Sequence, residues 1–160
     1  MKKFIYPLIA ALVIAADQTT KYMVRSSMQP GDRIPVLGDW MSIFYVQNTG
    51  TAFSMFAGNK FVTIALTSIL IIVCIVFAIT EIRSGHRLTP LLLTLVAAGG
   101  VSNMIDRVTL GFVTDMISCS NFAVFNVADI FITCSCILTA IAIVMTSNDK
   151  CGKEGERRHE

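Results

Sequence analysis

Charged residues are scarce in this chain, because Lys, Arg, Asp and Glu together make up 15% of its 160 residues. Apolar residues make up 54% and the mean hydropathy is +0.66, which is too high for an ordinary soluble domain. The net charge of +2 is too small to indicate a partner such as nucleic acid. The composition therefore predicts an integral membrane protein whose solvent is lipid.

Histidine is rarer still, with only His86 and His159 in the chain. Neither lies close in sequence to the polar clusters described below, so a serine or cysteine nucleophile activated by imidazole is not supported. The five cysteines provide no disulfide framework, because only Cys119 would face an oxidising compartment. They provide no zinc site either, because Cys134 and Cys136 lack the required spacing. We therefore expect no metal, no cofactor and no disulfide.

Long apolar runs account for most of the composition. Crossing about 30 Å of hydrocarbon at roughly 1.5 Å per residue takes some twenty residues. Four windows are long enough, at 4–24, 61–79, 88–105 and 127–145. We expect the first to be retained as a signal anchor, because no clean cleavage site closes it. No repeat or linker divides the chain, which predicts one all-α membrane domain over 1–160 with four transmembrane helices and a disordered tail over about 148–160.

Basic residues predict the orientation of these spans. Those on one side of the four-span scheme are Lys2, Lys3, Arg83, Arg87, Lys150, Lys153, Arg157 and Arg158. The positive-inside rule then places both termini and the connector around Arg83 in the cytoplasm. Segments 25–60 and 106–126 would lie outside.

The first outer segment is longer than a connector needs. Its pattern predicts a β-hairpin, with strands over 34–37 and 40–47 and a two-residue turn in which Gly38 supplies a positive φ. Trp40 is an amphipathic aromatic of the kind that rests at the lipid headgroups, so the hairpin is expected on the outer membrane surface. A simple loop resting on the membrane is the alternative.

Polar residues gather at the outer ends of the predicted spans. The clusters are Asp17 with Lys21, residues 47–54, Asn103 with Asp106 and Arg107, Asp115, and Asn126 with Asp129. All five meet at one membrane level, near the outer leaflet. Intramembrane polar residues are costly and usually functional, so the pattern predicts a single site there.

Local spacing gives roles to the first two clusters. Asp17 and Lys21 are four residues apart in a predicted helix, which makes a local ion pair the simplest interpretation. In the turn that follows the predicted hairpin, Asn48 can both donate and accept hydrogen bonds, and Gly50 can place a backbone N–H against a ligand.

The third cluster lies at the end of a predicted helix. Asn103, Asp106 and Arg107 are three to four residues apart, and Arg107 is placed to hold either Asp106 or Asp115. For Asp106, structural pairing and direct chemistry are both open.

The last two clusters carry the chemistry. Asn126 is a natural N-cap for the fourth helix, which puts Asp129 at about the third helical position. If Asp115 comes within hydrogen-bond reach of Asp129, the two carboxyls cannot both ionise cheaply and would share one proton. One could then activate water while the other protonates a carbonyl or a leaving amine, which suits amide hydrolysis without a metal.

In these residues the chain resembles the lipoprotein signal peptidase family, bacterial signal peptidase II, over essentially its whole length. The matching motifs are Asp17-x3-Lys21, Asn48-Thr49-Gly50-Thr51-Ala52-Phe53-Ser54, Asn103-x2-Asp106-Arg107, Val113-Thr114-Asp115 and Phe125-Asn126-Val127-Ala128-Asp129. The resemblance implies an aspartic endopeptidase of the bacterial inner membrane that cleaves prolipoproteins just before a diacylglyceryl-modified cysteine.

Residue roles follow from the resemblance. Asp115 and Asp129 would be the catalytic dyad. The positions implied to line or support the site are Asn48, Gly50, Asn103, Arg107 and Asn126, with Asp17 and Lys21 as a supporting pair and Asp106 as a motif acid outside the dyad. One departure is Ser102, where members often carry Gly, although a serine is small enough for close helix packing.

The implied architecture is four transmembrane helices with a small extracytoplasmic β-sheet cradle and a short outer helix, near 52–57 here. Its implied partners are lipid-modified prolipoproteins, membrane lipid and globomycin-type inhibitors, and we expect a monomer. Two other classes compete with this interpretation. A small four-helix proton-coupled transporter would need an acid near the midplane and short loops, and a tetraspan scaffold would not need paired carboxylates.

Overall fold

A computed structural model of the protein describes residues 4–38, 40–50, 60–120 and 124–156. Its elements, in chain order, are α1 (Ile5–Ser27), β1 (Arg33–Leu37), β2 (Met41–Asn48), α2 (Lys60–Arg83), α3 (Leu88–Thr109), β3 (Val113–Cys119), β4 (Val124–Phe125) and α4 (Val127–Glu156). The short outer helix predicted near 52–57 lies outside the described residues.

The helices differ in the length and hydropathy of their apolar stretches. Within the described residues, Phe61–Arg83 and Leu88–Thr109 are long and apolar enough to cross a membrane, and Val127–Ala142 is apolar but shorter. α1 is as long as these, but it buries Asp17 and Lys21 within its length. Two of the four predicted spans thus meet this test of length and composition, and the four-span arrangement stays a prediction.

The helices extend beyond the predicted spans. α2 runs to Arg83 and α3 to Thr109, because backbone hydrogen bonding continues after the hydropathy falls. Each is followed by a glycine in the left-handed region, Gly85 with φ +85° and Gly111 with φ +88°, which is a common way for a helix to end. α4 likewise continues to Glu156, where the sequence predicted disorder from about 148. No proline interrupts it.

The strands form one antiparallel sheet in the order β1-β2-β3-β4. The predicted hairpin of β1 and β2 is confirmed, and Gly38 has the expected positive φ of +52°. However, the strands end at Leu37 and resume at Met41, so the connection has three residues and Trp40 belongs to it. β3 was not predicted, because its pairing partner is the distant β2.

Packing against α1 and α3 positions the sheet and α4, respectively. Buried Val24 of α1 packs with Tyr45 of β2 and Met116 of β3, which attaches the sheet to the end of α1. A Cβ atom added at Gly99 of α3 would lie 2.9 Å from the carbonyl oxygen of Ala128. This glycine therefore permits α3 to approach the first turn of α4 closely.

Candidate active site

Asp115 lies in the middle of β3 with only 2% of its surface exposed. Its Oδ1 accepts a hydrogen bond from Asn126 Nδ2 at 2.7 Å, and its Oδ2 accepts one from Asn48 Nδ2 at 2.9 Å. Burial raises the pKa of this carboxyl to about 6, against the lowering effect of the Asn48 hydrogen bond and with a further raising effect from the charge of Asp129. Asp115 is thus a carboxyl that can hold or release a proton near neutral pH.

Asp129 is the third residue of α4, as predicted. Its Oδ1 accepts from Asn103 Nδ2 at 2.9 Å, and its Oδ2 accepts from the backbone N–H of Asn126 at 3.3 Å. In return, Asn126 Oδ1 accepts from the backbone N–H of Asp129 at 3.0 Å. This reciprocal pattern is that of a capping box, so the predicted N-cap role of Asn126 is confirmed.

Two asparagines join the aspartates. Asn126 Nδ2, which donates to Asp115, also donates to Asn103 Oδ1 at 3.1 Å, and the Asn103 amide donates to Asp129. Both carboxyls therefore contact Asn126 and belong to one partly buried network. Asp115 and Asp129 are 14 positions apart in the sequence and are bridged by Asn126, which bonds both of them.

A buried charge cluster lies behind the asparagines. Lys21 Nζ contacts Asp17 Oδ2 at 2.7 Å and Asp106 Oδ2 at 3.4 Å, and it donates to Asn103 Oδ1 at 2.7 Å. The predicted ion pair of Asp17 and Lys21 is therefore confirmed. Because the ammonium group has three donors and occupies the Asn103 oxygen, it turns the Asn103 NH₂ group toward Asp129. Lys21 thus sets the orientation of an asparagine that holds Asp129.

Asp106 and Arg107 have different partners from those predicted. Within the described residues, the ion pairs of Asp106 are with Lys21 and, at 3.6 Å, with Arg25. Arg107 instead donates to the backbone oxygen of Gly50 at 3.1 Å. Neighbouring helical residues point about 100° apart, so Asp106 faces α1 while Arg107 faces the loop after β2. The prediction that Arg107 holds Asp106 or Asp115 stays a prediction, since its hydrogen bond is to Gly50 while the charges of Asp129, Asp115 and Asp106 also act on its guanidinium.

Asp106 acts on β3 through the backbone. Its Oδ2 accepts a hydrogen bond from the N–H of Thr114 at 3.0 Å, next to Asp115 in the chain. These contacts are those of structural pairing, which they favour over direct chemistry for Asp106.

The turn after β2 is closed by its own side chain. Asn48 Oδ1 accepts from the Gly50 N–H at 3.0 Å, while Asn48 Nδ2 donates to Asp115. The Gly50 N–H is thus engaged within the turn, which does not support its predicted contact with a ligand. Its carbonyl is the group that Arg107 binds.

Four residues of this network were given no role in the site by the sequence prediction. They are Gln18, Arg25, Ser102 and Thr114. Arg25 donates to the Thr114 hydroxyl at 3.0 Å, and Gln18 donates to both Ser102 and Asp106. Each lies within four positions of a residue that was recognised, but its partner is more than 80 positions away. Among the described residues, no group of three or more His, Cys, Asp or Glu side chains could hold a metal ion.

A buried carboxyl and a half-buried one, both held by asparagines and lying beside helices apolar enough for a bilayer, are the arrangement expected of a membrane-bound hydrolase. The family model described as "Signal peptidase (SPase) II" matches residues 9–145, which include every site residue named above. A solved structure described as a bacterial membrane enzyme at 2.3 Å resolution superposes with a TM-score of 0.84 at 30% identity, covering 91% of this chain and 90% of that one.

Relatives named lipoprotein signal peptidase are similar over nearly their whole length. The one from Moorella thermoacetica is 33% identical over 147 residues, which is 92% of this chain and 97% of the relative. The one from Lactococcus lactis subsp. cremoris SK11 is 36% identical over 152 residues, which is 94% and 100% respectively. The chain belongs to the signal peptidase II family, a family of membrane peptidases. The resemblance is therefore confirmed, and nothing supports the transporter alternative.

Proposed function

We propose that this protein is an endopeptidase that removes the signal peptide from prolipoproteins, cleaving before a diacylglyceryl-modified cysteine, with Asp115 and Asp129 as its catalytic dyad. Family membership supports the substrate class. The observation that carries the dyad is that Asn126 binds both carboxyls, through its side chain on Asp115 and through its backbone N–H on Asp129.

The dyad would work with one proton between its members. The ionised carboxyl accepts a proton from water, and the resulting hydroxide attacks the scissile carbonyl carbon. The protonated carboxyl donates to the carbonyl oxygen and, as the tetrahedral intermediate collapses, a proton passes to the leaving amine. A pKa near 6 for Asp115 suits this exchange near neutral pH. The mechanism calls for no cofactor.

The remaining site residues would hold this pair rather than react. Asn48, Asn103 and Asn126 donate to the carboxyls and fix where their lone pairs point. Arg107 would keep the turn at Gly50 in place. Asp17, Lys21 and Asp106 would form the charged base of the site.

The proposal includes a membrane arrangement. All four helices would cross a bacterial inner membrane, with both termini in the cytoplasm and the dyad near the outer leaflet. Strands β1 and β2 follow α1, strands β3 and β4 lie between α3 and α4, and all four form one sheet, which supports one common level for the site. A monomer surrounded by membrane lipid would take lipidated prolipoproteins and globomycin-type inhibitors in the same site.

A cleavage assay tests the proposal. A diacylglyceryl prolipoprotein is incubated with purified protein in detergent, with and without a chelator, and the product is resolved by gel shift. Asp115→Asn and Asp129→Asn should each abolish cleavage, whereas Asp32→Asn, in an exposed loop, should not. Near-normal cleavage by either dyad variant would refute the dyad assignment, and loss of activity with chelator would refute the metal-free mechanism.

A further inference from the structure

Ser102 lies in α3 beside Asn103, and none of its surface is exposed. Its hydroxyl donates to Asp17 Oδ2 at 2.7 Å and accepts from Gln18 Nε2 at 3.0 Å. A hydroxyl has a single proton to donate, and here the proton goes to a buried carboxylate. Hydrogen bonds to charged groups are the strong ones in a protein interior.

Asp17 in turn binds the start of α4. Its Oδ2 is shared by Ser102 and Lys21, and its Oδ1 accepts from the backbone N–H of Ala128 at 2.8 Å. That N–H is one of those at a helix start that have no partner within the helix. Ala128 immediately precedes Asp129, so the Asp17 carboxylate connects α3 to the helical turn that carries Asp129.

Close packing does not account for the serine. The tight approach of α3 to α4 occurs at Gly99, where an added Cβ would lie 2.7 Å from Ile132 Cγ1. At Ser102 the side chain makes hydrogen bonds to two residues of α1. The hydroxyl, and not only the small size of the residue, is therefore used.

We propose that Ser102 is a positioning residue, which holds the Asp17 carboxylate on the first turn of α4 and so keeps Asp129 in register with Asp115. The inference rests on the proposed function for the role of Asp129. The link itself, from Ser102 through Asp17 to the Ala128 N–H, is independent of the reaction. The link and its effect on the reaction can therefore be measured separately.

The test uses Ser102→Ala, which removes one oxygen and keeps the Cβ. We expect kcat for a lipidated prolipoprotein to fall roughly tenfold, the order of effect of losing a hydrogen bond to a charged group, with KM changed by less than about twofold. Amide hydrogen exchange at Ala128 should accelerate. Exchange at Val96, in the buried core of α3, should stay unchanged.

The matched control is Ser135→Ala, which removes another buried serine hydroxyl further along α4. It should leave kcat and the exchange of Ala128 as in the wild type. If Ser102→Ala does not yield folded protein, Ser102→Cys, with its weaker donor, carries the same comparison.

Two results would overturn the inference. One is unchanged exchange at Ala128 in folded Ser102→Ala protein. The other is equal acceleration at Ala128 and Val96, because a general loss of stability affects both. An inactive wild type would refute the proposed function instead, and the exchange at Ala128 would still decide whether the link exists.

Discussion

Asn126 has two separate tasks at the start of α4. Its side-chain oxygen caps the helix at the Asp129 N–H, and its side-chain nitrogen donates to Asp115. The first task contributes to stability and the second to the site. A single substitution can separate them, because serine is a good N-cap but lacks the amide nitrogen.

Asn126→Ser should therefore keep most of the thermal stability and lose most of the activity, whereas Asn126→Ala should lose both. The cap is worth about 1 kcal/mol. Thermal unfolding in detergent and prolipoprotein cleavage measure the two effects. Activity close to the wild type in a folded Asn126→Ser protein would show that the donor to Asp115 is dispensable.

The stability of the protein should depend on pH through the ionisation of Asp115. Its pKa is raised from the usual 3.8 to about 6 by burial, so ionising it costs the folded state more than the unfolded state. Wild-type stability should thus fall as pH rises from about 4 to about 6 and then level off, by at most about 3 kcal/mol from this group.

Asp115→Asn cannot ionise and lacks this contribution. The melting temperature of the variant minus that of the wild type should therefore increase between pH 4 and pH 7, whatever the difference between the two is at pH 4. Ser135→Ala, which replaces a buried polar side chain that does not titrate in this range, is the control and should show no such trend. A difference that shrinks with increasing pH would show that the carboxylate is stabilised, not penalised, in the fold.

At the scale of elements, the site depends on how closely α3 and α4 approach. A Cβ at Gly99 would meet the backbone oxygen of Ala128, which cannot move without shifting α4. A Cβ at Gly100 would meet Ile71 Cγ1 at 3.0 Å, in a side chain that can adjust. Two adjacent glycines thus differ in how well they tolerate an added side chain.

Gly99→Ala should destabilise the protein by about 1–3 kcal/mol, as overpacking does, and should reduce cleavage because Asp129 moves with α4. Gly100→Ala serves as the matched control, with a smaller loss of stability and nearly normal activity. Thermal unfolding and cleavage rates test the pair. Equal effects at both positions would contradict the close approach at Gly99.

Arg107 connects the end of α3 to the turn after β2. Arg107→Ala should lower cleavage roughly tenfold, the order of a lost hydrogen bond from a charged donor, because the turn at Gly50 carries the Asn48 donor to Asp115. Arg87→Ala, which changes an exposed arginine at the other end of α3, should have no effect. Unchanged turnover in Arg107→Ala would remove Arg107 from the site.

At the scale of the whole molecule, the proposed orientation can be tested by thiol labelling. In a cysteine-free background, Ser27→Cys at the end of α1 should react with a membrane-impermeant reagent in spheroplasts. Ser84→Cys, in the connector between α2 and α3, should react only after lysis, because that connector is proposed to be cytoplasmic. The reverse pattern would invert the orientation, and labelling of both would contradict the four-span arrangement.

Local sequence patterns predicted the parts that depend on neighbours in the chain. The four-residue spacing of Asp17 and Lys21 fixes their shared helix face, and the position of Asn126 before an apolar run fixes the cap. The alternation around Gly38 predicted the hairpin. These contacts could be foreseen because helix and hairpin geometry alone determines them.

The partners of Arg107 and the strand β3 could not be foreseen in this way. A cation near several acids has many possible partners, and the direction of its side chain is set by how the helix is rotated against its neighbours. The short β3 pairs with residues some 70 positions away. Such pairings follow from the packing of the helices, which no local window contains.

By itself, the sequence determined a hydrophobic chain, and it predicted that the polar clusters at the outer ends of the spans share one level, because polar groups cannot be spread through lipid without cost. It also determined which residues cap and which pair within a helix. Only the tertiary structure decided that Asn126 contacts both aspartates, that Lys21 orients Asn103, and that Ser102 reaches α4 through Asp17. Those contacts join α1, α3, β3 and α4, and they exist only once all four elements have packed together.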